Sequence, residues 1–147
     1  MKNHLTFHPA VQSWFDDNFK IPSPPQAQGW PSIAQNRHTL ILAPTGSGKT
    51  LAAFLWCIDD LFRIGLETDP KRFARNHEGV HTLYISPLKA LNNDIHRNLQ
   101  EPLAGIQQAA NSLQIAPPEI RALVRTGDTP SHVRQSMVKK PPHILIT

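Results

Sequence analysis

Apolar residues along the chain repeat with two different periods, and their alternation lays out the fold. Over residues 1–20, Val11, Trp14, Phe15 and either Asn18 or Phe19 fall at helical spacing behind Pro9, a residue suited to a first helical position. Three prolines stiffen the stretch Ile21 to Gln26 as a loop, and a second helical segment with Trp30, Ile33 and Ala34 on one face runs to about Gln35. His38 to Leu42 is a continuous apolar run, the pattern of a strand buried on both sides of a parallel sheet. Leu51, Phe54, Leu55, Ile58 and Phe62 then form one helical stripe, on which the adjacent Asp59 and Asp60 are expected to be solvated. Glu67 to Gly79 is polar and carries Lys71, Arg72 and Arg75, and reads as a solvated connection, with a loop that touches nucleic acid as the alternative. Val80 to Ile85 predicts the second strand, followed by a helix capped by Ser86 with Leu88, Leu91, Ile95 and Leu99 inward, and by a further helical stretch around Leu103 to Leu113. Ile120 to Val124 predicts a third strand, Thr129 a cap for a short helix starting at Pro130, and His143 to Ile146 a fourth strand. Strands alternating with helices imply parallel pairing, so the expected fold class is α/β, a three-layer sandwich in one domain.

Composition narrows the class without changing it. The 147 residues suffice for one buried core, and 15 Lys and Arg against 11 Asp and Glu leave +4, a mild excess suited to an anionic partner or to an ordinary basic protein. The single cysteine, Cys57, excludes a disulfide framework and fits a reducing cytoplasm. No apolar run approaches the roughly 18 residues of a spanning helix, so no membrane partner is expected. His4 and His8, and His77 and His81, have a four-residue spacing but no cysteine or carboxylate company, so a closed metal site is not expected.

Candidate chemistry concentrates between the first predicted strand and the helix after it. Ala43-Pro44-Thr45-Gly46-Ser47-Gly48-Lys49-Thr50 has the glycines that let backbone N–H groups curl around phosphates, a lysine to add mobile positive charge, and a threonine hydroxyl for Mg²⁺. A nucleoside triphosphate site follows. Upstream, Pro24-Pro25 hold Gln26, whose amide can donate and accept at once, as N6 and N7 of adenine require. Phe7 or Phe19 could stack on the base, although packing is the ordinary role of either.

Pro24-Pro25-Gln26, Ala43 to Thr50 with Leu51-Ala52-Ala53-Phe54, Leu83 to Ile95 and Arg125 to Thr129 resemble, in order, the motifs of a superfamily 2 helicase. The wording from Ser86 to Ile95, S-P-L-K-A-L-N-N-D-I, is similar to that of the Lhr (large helicase-related) family. The resemblance implies a RecA-like phosphate-loop sheet and ATP with Mg²⁺ as cofactors. It implies that Gln26 reads adenine and that Pro44 to Thr50 hold the nucleotide, with Lys49 neutralising charge as the γ-phosphate leaves and Thr50 on the metal. It also implies that Pro87, Lys89 and Ala90, together with Thr126, Gly127 and Asp128, hold the sugar-phosphate backbone of single-stranded DNA, with RNA or a DNA/RNA hybrid as alternatives. Asp128 has an equal reading as a turn or capping residue.

The departures from the family pattern are also specific. Position 43 is alanine where the short phosphate-loop pattern has glycine, a form common in helicase loops. Hydrolysis requires carboxylates that the family supplies from a D-E-x-H motif, and this sequence has no adjacent Asp-Glu pair. The expectation is therefore the amino-terminal part of a helicase motor, residues 1–147 of a partial RecA-like domain that begins at Met1 and is cut after Thr147. Its partners would include the remainder of the helicase chain, and by itself it would not turn over ATP. A non-catalytic single-strand-binding module, and a different phosphate-loop NTPase or kinase, are the alternatives.

Overall fold

The structure is a computed structural model that describes residues 6–76, 78–86 and 89–147, with backbone alone for residues 89–94, 96 and 97. Among the described residues, six helices and three short strands follow in the order α1 (Pro9–Phe19), α2 (Pro24–Ala34), α3 (Lys49–Glu67), α4 (Pro70–Arg75), β1 (Thr82–Tyr84), α5 (Lys89–Ser112), β2 (Ala122–Val124), α6 (Ser131–Lys139) and β3 (Ile144–Ile146). The strands form one parallel sheet in the order β1-β3-β2, with Thr82 and Ala122 both in register with Ile144. The last strand in sequence is thus the middle one. Ile144 and Ile146 are fully buried there, beneath a core built from Val11, Phe15, Leu55, Phe62, Leu99 and Ile106 of α1, α3 and α5.

Proline at the first position of α1 and α2 behaves as its fixed φ predicts, starting each helix where an N–H would have no partner. For α2 this shifts a boundary: Pro24, Pro25 and Gln26 are its first turn, and only Ile21 to Ser23 remain loop. Leu103 to Leu113 is no separate helix, because α5 runs through Pro102 without a break to Ser112. The polar stretch after α3 contains the short α4, capped by Asp69 accepting from the Arg72 N–H at 3.0 Å, with Phe73 buried.

Two expectations fail for physical reasons. His38 to Leu42 is extended but belongs to no strand: Ile41 and Ala43 turn inward, Ile41 against Gly29 of α2, while Leu40 and Leu42 are 82% and 85% exposed. An apolar run becomes a strand only through another strand's N–H and C=O groups, and no described strand lies beside this one. Asp59 and Asp60 are buried rather than solvated. Asp59 accepts from the His8 N–H at the start of α1 and from Arg63 Nε at 2.8 Å, whereas Asp60 lies 2.9 Å from His81 Nε2 just ahead of β1. Adjacent positions on α3 therefore latch two different parts of the fold.

Candidate functional site

The turn that opens α3 is set by backbone conformation. Gly46 and Gly48 have φ of +80° and +87°, a region that side chains disfavour, and Gly48 is the residue on which α3 starts. A Cβ at Gly48 would lie 2.8 Å from Gln26 Nε2 and 3.0 Å from Ser23 Oγ, so α2 and the loop touch at a point where only glycine fits. No side chain caps the first turn of α3, leaving its N–H groups directed at the loop's concavity. Ser47 Oγ is buried there without a hydrogen-bond partner. Lys49 Nζ donates to the loop's own carbonyls, Ala43 O and, at 2.6 Å, Pro44 O. An anion is the group that such donors fit, and the residues present suit a phosphate chain with its cation.

This loop forms one end of a cavity of about 880 Å³, which Gln26, Thr45 to Leu51 and Phe54 share with α1, α2 and α5. Pro44, the remaining residue expected to hold nucleotide, lines a neighbouring groove between α2 and the exposed 38–43 segment. Gln26 is 3% exposed; its Oε1 accepts from the Ser23 N–H at 2.8 Å, and its Nε2 lies 3.5 Å from Gly48 O. The amide therefore ties the start of α2 to the phosphate loop, and reading a base requires it to share or exchange those partners. Phe19 is half-exposed on the rim of the cavity, stacked on Phe15 at 5.2 Å, whereas Phe7 packs in the core against Trp30 and Trp56. Sequence reasoning missed the wall contributed by α5, where Ile95, Asn98, Glu101 and Pro102 line the cavity at helical spacing. Its signal was present in the helical period, but nothing local told which neighbour that face meets.

The second candidate region lies after β2. Thr129 does not cap α6, whose N-cap is Pro130; its Oγ1 instead accepts from the Thr126 N–H at 2.8 Å, and its own N–H donates to Thr126 O at 3.2 Å. These two bonds close a turn around Gly127 and Asp128, both exposed at the surface. Arg134, a residue not singled out by sequence, donates from Nε to Thr129 O at 2.7 Å and from Nη2 to Gly127 O at 3.2 Å. Pro87 lies outside the described residues, and Lys89 and Ala90 are described only as the backbone that opens α5. Among the described residues no cluster of His, Cys, Asp or Glu could hold a metal ion, and no described helix is long and apolar enough to cross a membrane.

A family model described as DEAD/DEAH box helicase matches residues 23–147. The Lhr helicase/probable uracil glycosylase of Mycolicibacterium smegmatis is 46% identical over 141 residues, covering 96% of this chain and 9% of that protein. The ATP-dependent helicase Lhr-Core protein 2 of Thermococcus barophilus is 48% identical, covering 93% of this chain and 15% of its own length. The chain thus spans a small part of the relatives it matches. Among solved structures, Mycobacterium smegmatis helicase Lhr bound to ssDNA and AMP-PNP superposes with a TM-score of 0.84 at 44% identity, over 96% of this chain and 17% of that one. The RNA-helicase Prp28 from Chaetomium thermophilum, at 19% identity and a TM-score of 0.61 over 99% of this chain and 32% of that one, shares the fold. The parallel sheet with its phosphate loop is accordingly RecA-like, as the motif order implied.

Proposed function

The chain belongs to the DEAD/DEAH box helicase family, and on that premise we propose that it is the ATP-binding, nucleic-acid-contacting amino-terminal part of an Lhr-like ATP-dependent DNA helicase. Residues 1–147 then make up part of a first RecA-like domain, acting in a reducing cytoplasm. The observation that carries this reading is the joining of Gln26 to Gly48 at the mouth of one cavity, which sets an adenine-type amide beside a phosphate cradle.

ATP with Mg²⁺ supplies the hydrolysable phosphoanhydride when bound. The chain's own residues would bind and orient it: the N–H groups of the loop and of the first turn of α3 would hold the phosphates, and Thr50 would supply a hydroxyl to the cation. Lys49 Nζ would exchange Ala43 O and Pro44 O for phosphate oxygens, a charge-assisted contact. Phe19 and Ile21, both exposed, line the same cavity and offer it apolar surface. The turn from Thr126 to Asp128, with Pro87, Lys89 and Ala90, holds the phosphate backbone of a single strand of DNA. Such contacts carry no sequence preference and weaken with salt.

The isolated chain binds nucleotide weakly and does not turn it over, because its sequence has no adjacent Asp-Glu pair to serve metal and water. Titration of a fluorescent ATP analogue into the purified chain tests this. Lys49→Ala should weaken binding by about tenfold or more, in keeping with a charge-assisted contact worth roughly 1.5–3 kcal/mol. Strand-stimulated ATP hydrolysis by the isolated chain would contradict its expected inactivity. Salt-sensitive strand binding indifferent to both ATP and Lys49→Ala would instead identify a strand-binding module without a motor.

A further inference from the structure

We propose that Arg134 is the positioning residue of the turn that meets the nucleic-acid backbone, an inference that rests on the reading of Thr126 to Asp128 given above. The turn's own two bonds join Thr126 to Thr129 and leave the peptide unit between them to Gly127, the residue with the most permissive backbone. Nothing lies within 4 Å of where a Cβ of Gly127 would be, so that side of the turn stands open to an approaching backbone. Arg134 adds a constraint that those two bonds do not supply. It sits one turn into α6 and reaches back, its Nη2 holding Gly127 O and its Nε holding Thr129 O.

Two consequences follow from the chemistry of the fork. The orientation of the peptide plane after Gly127 is pinned, because its carbonyl is held by a rigid planar donor. Two carbonyl oxygens, whose negative ends would repel a polyanion, are also paired with a permanent positive charge. Lysine would keep the charge and can donate to carbonyls from a single ammonium, but it lacks the planar fork that holds two of them at a set spacing and orientation, so Arg134→Lys separates positioning from simple attraction.

The experiment uses the full-length protein and measures ATP hydrolysis against increasing oligothymidylate, with the melting temperature measured alongside. In Arg134→Lys and Arg134→Ala, the strand concentration for half-maximal stimulation should rise by about tenfold, as the turn loses its preorganisation for the strand. The KM for ATP and the rate at saturating strand should stay at their wild-type values, with the melting temperature falling by no more than a few degrees. Wild-type behaviour of Arg134→Lys would overturn the inference, since charge alone would then suffice, and so would a parallel loss of ATP affinity and melting temperature, the mark of a purely structural residue. A wild-type protein whose hydrolysis ignores the strand would overturn the reading of the turn itself, and this inference with it.

Discussion

His143 sits just ahead of the middle strand, 1% exposed and stacked on Phe73 at 4.3 Å. Its Nδ1 accepts from the Arg121 N–H at 3.0 Å, so its Nε2 carries the proton and donates to Phe73 O at 3.1 Å. Burial lowers its pKa first, a lowering that the bond to Phe73 O opposes and the nearby Arg121 charge reinforces. An unfolded histidine titrates near 6.5 and binds a proton more readily than this one, so the folded chain keeps its full stability above about pH 6.5 and loses it as pH falls toward the lower folded value. His8, lowered by burial and by Arg63, has the same sign. Urea unfolding at pH 7.5 and 5.5 should show stability falling by up to roughly 1.4 kcal/mol per pH unit for buried His143, with a smaller part from the more exposed His8, and His143→Gln should flatten part of that dependence. At this scale the sequence was legible where chemistry is contiguous. Gly46 and Gly48 announce the left-handed turn they form because the loop is a single run of eight residues. Asp59, Asp60 and His143 give no such notice, because their partners lie from 4 to 70 residues away and only the folded chain brings them near.

At the scale of elements, helices were readable and their partners were not. Val11, Trp14 and Phe15 mark the buried face of α1 by spacing alone, yet nothing in that spacing says that the face meets α5. The contact depends on Gly105, where a Cβ would run into the indole of Trp14. A glycine inside a helix ordinarily costs about 1 kcal/mol relative to alanine, so Gly105→Ala would stabilise an isolated α5. Here steric overlap outweighs that gain, and a net loss of about 1–2 kcal/mol in chemical denaturation is expected, with a change in tryptophan emission. A stabilised variant would show that the two helices can move apart at no cost. The strand expected over His38 to Leu42 illustrates the converse limit: hydrophobicity marks a segment that a sheet can use, whereas a strand exists only where another backbone pairs with it.

For the whole molecule, that unpaired segment is the main difference between pattern and structure. Leu40 and Leu42 are exposed, and so are Leu83 at 54% in β1 and Ile85 at 73% just after it, and the outer edge of β1 pairs with no described strand. In the longer helicase proposed above, neighbouring strands would cover these side chains. Hydrogen exchange should therefore find the amides of residues 39–43 rapidly exchanging in the 147-residue chain and at least about tenfold slower in the full-length protein, while β3 is protected in both. Equal, fast exchange in both proteins would mean that the segment stays outside the sheet. The sheet order carries a consequence for biosynthesis as well. Among the described strands β1 and β2 each pair only with β3, and β3 is the last of the three to leave the ribosome. Until Ile144–Ile146 emerge, the nascent chain holds two strands about forty residues apart with no common partner, so its helices can condense early while the sheet must wait. Chaperone dependence during synthesis should accordingly peak just before β3 clears the exit tunnel.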